Sequence, residues 1–230
     1  SLNVITGFCG QVSLGHAAFH GIGAYTAAML TKAGVPLAVA LVPAAAMAGA
    51  IGLVVGMTSL RVRHDFLAIT TMGVSFLFVG IVRKQAALGG EVGISGIPQV
   101  AFGRPGLLAL ALVCLVLFVA LTLHIRRSWM GFAFESVAED EDTARILGID
   151  VPRFKLWAFV IGTAGAGVAG GLYAHHIRFI GPDSFGFVES VTVLAMVIVG
   201  GIGSVWGVAL AAGFLSVMPL WFQFVDDYKL

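Results

Sequence analysis

Two histidines four residues apart, His16 and His20, lie in a helical stretch, a spacing that could ligate a metal ion. Neither an acid nor a cysteine accompanies them at useful spacing, so the pair reads as hydrogen-bonding between helices and no metal is expected. Ser13 with His16 has the composition of a nucleophile and its general base. GQVSLGHA (10–17) lacks the G-x-S-x-G turn that presents such a serine, and a helix-packing hydroxyl is the plainer reading. His175 and His176 are adjacent and point in different directions on a helix; a place at an interface beside Arg178 accounts for them. Gln11, Ser13, His16 and Glu189 are the polar residues most deeply set in apolar sequence. Polar groups in such surroundings are rare and often line a pathway, which makes these four its candidates. Glu189 reads equally as the interfacial start of a helix. No G-x-x-x-x-G-K-S/T phosphate loop occurs, so the chain does not hydrolyse ATP by that route, and no catalytic residue is expected.

The densest charge lies elsewhere. Between Ala133 and Leu147 five acids (Glu135, Glu139, Asp140, Glu141, Asp142) stand against one base, Arg145, and Arg126, Arg127, Arg153 and Lys155 flank the segment. Ser136-Val137-Ala138-Glu139 fits a capping box, which predicts a helix starting there. Gly148 suits the residue past its end, and Glu141 with Arg145 makes a favourable i,i+4 pair. The acids point to several sides and leave no wide apolar stripe, so lipid does not hold this helix, and an anionic leaflet repels it. It stands off the membrane and offers Phe134, Ala144, Ile146 and Leu147 to a partner. On charge and periodicity alone, a solvated loop with incidental helicity fits equally well.

The elements that must carry these residues follow from composition. Of 230 residues 59% are hydrophobic and 11% charged, with a mean hydropathy of +1.00, whereas a soluble domain carries about 25% charged residues. Charge-free windows occupy 1–31, 33–60, 66–82, 105–125, 156–177 and 190–225. A spanning helix needs about 20 apolar residues, so the last window must break, most plainly at Gly200-Gly201-Ile202-Gly203. The first is interrupted by Gly7, Gly10 and Gly15. The expected architecture is an all-α polytopic transmembrane bundle forming a single domain over 1–230. It has about seven membrane segments, at 14–31, 36–58, 66–82, 106–125, 156–174, 189–203 and 206–223, since open sheet edges do not persist in hydrocarbon.

Gly and Pro break 83–105, and Gly181-Pro182-Asp183-Ser184 makes a turn on the same side. Seven bases (Arg61, Arg63, Arg126, Arg127, Arg145, Arg153, Lys155) then share one membrane face and six (Lys32, Arg83, Lys84, Arg104, Arg178, Lys229) the other, a feeble positive-inside bias for the first face. The pairs Gly52-xxx-Gly56, Gly167-xxx-Gly171 and Gly203-xxx-Gly207 predict close helix approach, within the subunit or at a seam with another. Cys9 and Cys114, both in apolar sequence, read as buried thiols. A net charge of +1 gives no case for nucleic acid. The chain reads as trimmed at the start and abruptly stopped at Leu230.

FAFESVAEDEDTARILGID (132–150) resembles the coupling segment of ABC-importer permeases, specifically the branched-chain amino acid permease family of the LivM type. The likeness continues through VPRFKLWAF (151–159), GGLYAHHIRFIGPDSF (170–185) and VGGIGSVWG (199–207). Upstream it includes GFCGQVSLGHAAFHGIGAY (7–25), LRVRHDFLAITTMG (60–73) and GISGIP (93–98). Phe132, Phe134 and Ser75-Phe76 depart from the family pattern. The resemblance implies a non-catalytic permease subunit of an ATP-driven importer in the bacterial inner membrane, moving branched-chain or related amino acids by alternating access. It implies a cytoplasmic coupling helix at 133–148 that enters a groove on an ATPase, with Phe134, Glu135, Ala138, Glu139, Asp142, Ala144, Arg145, Ile146, Leu147 and Gly148 as coupling residues. The implied partners are a homologous second permease, two cytosolic ATPases that bind the ATP and Mg, and an extracytoplasmic substrate-binding protein. Urea or short amides are alternative substrates. A secondary carrier or channel is the alternative mechanism, and the absence of charge within the spans speaks against it.

Overall fold

The computed structural model describes residues 1–59, 64–100 and 103–227, side chains excepted at 59, 64–66 and 219–227. Nine α-helices dominate the described residues: α1 (His16–Lys32), α2 (Leu37–Ser59), α3 (His64–Lys84), α4 (Gly103–Arg127), α5 (Trp129–Glu139), α6 (Glu141–Ile146), α7 (Val151–Ile177), α8 (Phe187–Val199) and α9 (Val205–Asp227). Among the described residues five stretches are long and apolar enough to cross a membrane: Leu37–Thr58, Leu67–Lys84, Gly103–Arg127, Val151–Ile177 and Pro182–Val199. Of the two remaining expected segments, 206–223 falls within α9, whose described apolar part, Val205–Met218, is shorter than the five. The other, 14–31, begins in irregular backbone and continues as the 17-residue α1, which is not in the apolar set, so the structure supports five of the expected seven.

Helices α1, α2 and α7 form the packed centre. Their closeness is written in the glycines. A Cβ on Gly23 would collide with the backbone of Gly167, one on Gly170 with the carbonyl of His20, and one on Gly52 with Thr163. In lipid, where apolar burial drives little, such small-residue contacts let backbones approach and gain dispersion energy. The Gly52/Gly56 and Gly167/Gly171 pairs therefore serve packing inside this chain. The break at 200–203 forms as expected: α8 stops at Val199, Gly201 and Gly203 take φ of +88° and +82°, and α9 begins at Val205.

The two ends of the bundle differ. At one, β1 (Ile94–Ser95) pairs antiparallel with β2 (Phe179–Ile180), a two-stranded ribbon that the all-α expectation lacks. Backbone left over by the Gly/Pro-rich loop finds its partners there. Lys32 Nζ donates to Ser95 O at 3.2 Å, and Arg83 pairs with Asp183 at 2.5 Å. Lys84, Arg104 and Arg178 share this end. The opposite end carries Arg126, Arg127, Arg145, Arg153 and Lys155 around α5 and α6. The charge grouping thus holds for these residues; Arg61, Arg63 and Lys229 lie outside the described ones.

The acidic segment is two helices, not one. Asp140 is extended (φ −158°, ψ 117°) and separates α5 from α6. The capping box at Ser136 does not form, because Ser136 lies inside α5, where its hydroxyl donates to Phe132 O at 2.9 Å. Asp140 takes over the cap. It suits that role because its carboxylate reaches the third N–H beyond it.

Candidate functional site

The elbow has an anchored side and an open side. Ala133, Phe134, Val137 and Ala144 are buried in one cluster with Val4, Phe8, Cys9, Ile125, Ile149, Val151 and Ala158. Phe134 meets Phe154 edge-on at 6.1 Å, and Phe154 meets Trp129 at 5.3 Å. Phe134 and Ala144, expected on the partner-facing side, are therefore the residues that fasten the elbow to the bundle. An α5 with no apolar stripe wide enough for lipid still has one narrow enough for this seat.

The Asp140 carboxylate accepts from Thr143 N at 2.6 Å, and that backbone hydrogen bond holds its carboxyl below the usual range. Arg145 bridges Asp142 at 2.6 Å and Glu141 at 3.2 Å, and Lys155 on α7 also pairs with Glu141. Part of the negative charge is thus neutralised within the elbow. The segment ends in a Schellman motif, with Ile149 N donating to Ala144 O and Gly148 N to Arg145 O, both at 3.0 Å. Gly148 takes φ +82°, which glycine adopts without steric cost. The chain then turns into α7, whose first turn Asp150 caps through Arg153 N at 3.3 Å. Between the two caps, Ile146 and Leu147 project outward, 86% and 65% exposed. Glu135, Ala138, Glu139, Asp142 and Arg145 are also exposed. The bend thus presents an exposed apolar pair between two capped helix ends.

The second candidate group lies inside the bundle. A π-helical turn (Val4–Phe8) leads into irregular backbone at 10–15, most of which other parts of the chain cover. Gln11, Ser13 and His16 are buried there. Gln11 Nε2 donates to Cys9 Sγ at 3.5 Å, its carbonyl accepts from Thr6 Oγ1 at 2.9 Å, and His16 Nε2 lies 2.9 Å from Ser1 Oγ. Two residues that sequence reasoning missed, Thr71 and Ser190, contact this stretch. Thr71 Oγ1 on α3 accepts from Leu14 N, and Ser190 Oγ on α8 accepts from Ala17 N, both at 3.0 Å, so two hydroxyls from other helices serve the uncapped start of α1. Ser75, one turn beyond Thr71 on the same face, is fully buried. Ser13 Oγ, His16 Nδ1 and Ser75 Oγ have no hydrogen-bond partner among the described residues. Glu189 is exposed and does not join them. The hydroxyls share no sequence signal, because small polar residues in apolar helices more often satisfy their own backbone.

His20 turns to the aromatic rings of Tyr173 and Phe185, at 5.3 and 5.6 Å. His175 lies near Gly171 O (2.7 Å) and Thr31 Oγ1 (3.0 Å), while His176 is exposed. Among the described residues no three His, Cys, Asp or Glu side chains gather as metal ligands.

Several apolar helices long enough to cross a membrane, packed around buried polar groups, define a polytopic helical membrane protein. Residues 1–226 match the family model described as the branched-chain amino acid transport system permease component, and the chain belongs to that family. It is 37% identical over 262 aligned positions to the high-affinity branched-chain amino acid transport system permease protein LivM of Escherichia coli, covering 100% of this chain and 61% of the relative. Similarity to LivH of Salmonella typhimurium is 38% over 106 positions (46% of this chain, 34% of the relative). A probable LivM of Methanocaldococcus jannaschii is 26% identical over 200 positions (82% and 57%). The chain therefore spans about three fifths of the length of the LivM relatives it matches. No solved structure matches significantly.

Proposed function

We propose that this chain is the transmembrane permease subunit of an ATP-driven importer of branched-chain or related amino acids. It works with a homologous second permease, two cytosolic ATPases and an external binding protein in a bacterial inner membrane. The exposed Ile146–Leu147 pair carries this reading. It sits between a carboxylate cap and a Schellman cap, on an elbow whose other side is seated in the bundle core. A rigid lever needs that combination, because force applied at the tip reaches the bundle only if the elbow does not give way. In alternating access the elbow moves with the ATPase groove, and the spans repack around a path that includes Gln11, Ser13, His16, Thr71, Ser75 and Ser190. The Ser13, His16 and Ser75 atoms without partners among the described residues support that path, since a buried unsatisfied group costs about 1–3 kcal/mol and water or solute in the path would offset that cost.

The test replaces Ile146 and Leu147 together by serine. Exposed positions change stability by about 0.5 kcal/mol or less, so insertion and melting are expected to stay unchanged. Two apolar anchors at an interface each contribute on the order of 1–2 kcal/mol, so ATPase co-purification and ATP-driven uptake are expected to fall at least tenfold. Wild-type uptake from this variant rejects the coupling role. Uptake by the reconstituted protein without ATPase subunits favours a carrier instead.

A further inference from the structure

At the ribbon end a cleft of about 90 Å³ opens between the start of α4 and the end of α7, lined by Arg104, Leu107, Leu108, His176, Arg178 and Gln99 among others. That is several times the ~10–15 Å³ that one water needs, room for a tetrahedral anion and its hydration. Among the described residues neither Arg104 nor Arg178 has a carboxylate within ion-pair distance. Arg178 has a neutral neighbour, the Gln99 amide oxygen, which accepts from both terminal guanidinium nitrogens at 3.0 and 3.1 Å when the amide is so oriented. His175, the remaining ring here, is buried against Gly171 O and Thr31 Oγ1. The cleft thus holds two positive charges with no carboxylate partner among the described residues, at a membrane boundary.

The apolar surface below it continues the same line. Arg104, Leu108, Leu112 and Leu115 follow one another by four, four and three residues, a single stripe of α4. All three leucines are more than half exposed, and α4 is the least buried of the five spans. From Arg104 to Leu115 the stripe runs roughly 16 Å at ~1.5 Å per residue, about half of the ~30 Å hydrocarbon core. One leaflet's depth of apolar surface headed by paired guanidinium groups matches a molecule with an anionic head and a hydrocarbon tail. We infer that this cleft is a binding site for an anionic phospholipid, its phosphate held by Arg104 and Arg178 and its acyl chain lying along Leu108, Leu112 and Leu115. The inference rests on the membrane-embedded permease reading but not on which face is outside. A protein partner's acidic surface could meet the arginines, but it would leave the leucine stripe unexplained.

The complete transporter, reconstituted in nanodiscs of phosphatidylcholine with spin-labelled phosphatidylglycerol as probe, tests it. A basic residue at a bilayer surface contributes about fivefold to binding of an anionic lipid. The wild type is expected to prefer phosphatidylglycerol over phosphatidylcholine, and R104Q/R178Q to reduce that preference roughly 25-fold. R104K/R178K is expected to retain most of it, and millimolar inorganic phosphate not to abolish it. Equal association of both lipids, or a preference untouched by R104Q/R178Q, overturns the site; the same result follows if another helix of the assembly covers the cleft. Displacement by free phosphate assigns a soluble anion and also overturns it. So does R104Q/R178Q that keeps its lipid preference yet loses capture of the binding protein, which assigns a protein surface. ATP-driven uptake by the wild type in proteoliposomes is measured alongside, so failure of the lipid site is separable from failure of the permease reading.

Discussion

Replacing Phe134 by alanine separates the two faces of the elbow. Its ring is fully buried, touches Phe154 edge-on at 6.1 Å and shares a cluster with Phe8, Ile125, Val137 and Ala158. Truncating a buried phenylalanine costs about 3–5 kcal/mol through lost transfer energy and the cavity left behind. The edge-on partner adds about 0.5–1.5 kcal/mol that burial area does not count. Most of this loss falls on the local seat of α5, because the α1–α2–α7 packing lies elsewhere. The elbow is then expected to open on the order of a hundredfold or more often, since 1.36 kcal/mol corresponds to about tenfold. Limited proteolysis of the permease purified without its ATPase subunits, with protease dilute enough that cleavage follows the open population, reads this directly at Arg145. The Ile146→Ser, Leu147→Ser variant is the control, with cleavage expected within about threefold of wild type, as suits exposed positions. Phe134→Ala with wild-type cleavage kinetics refutes the division into a seated side and an open side. Faster cleavage in the serine variant than in Phe134→Ala refutes it as well.

Two further outcomes are expected. Gly170→Ala pushes a methyl group into the carbonyl of His20 across the α1–α7 contact, whereas a Cβ at Gly73, exposed on α3, meets nothing within 4 Å. Detergent melting is therefore expected to fall for Gly170→Ala and to hold or rise for Gly73→Ala, which gains about 1 kcal/mol of helix propensity; equal melting of the two contradicts the close packing. Asp140 is held below the ordinary carboxylate value by the Thr143 N–H, so its contribution to α6 is complete above about pH 4 and is lost as pH falls through the lowered value. Proteolysis at Arg145 is expected to be flat from pH 5 to 8 with acid-stable protease controls and to rise only in stronger acid. Asp140→Ala removes the cap and is expected to show the raised rate at every pH.

Much of the bundle was legible in the sequence because hydrocarbon forces each span to satisfy its own backbone, which makes composition alone decisive there. Charge-free windows located α2, α3, α4 and α7, and the cluster Gly200–Gly203 marked the break before α9. Gly148 was legible for a similar reason: a backbone that must take φ +82° selects glycine wherever it is placed. Tertiary structure alone decided the rest. Ser136 and Asp140 both have capping side chains, and which of them ends up at a helix start depends on how α5 sits on Phe8 and Ile125. That seat buries Phe134 and Ala144 and leaves Ile146 and Leu147 to project. Thr71 and Ser190 come from helices distant in sequence, and only the packing of α3 and α8 against α1 brings them to the backbone of Leu14 and Ala17, beside Ser13 and His16. Local composition can specify what a segment is, but a polar side chain's partner is a property of three-dimensional proximity, which periodicity along one chain does not encode.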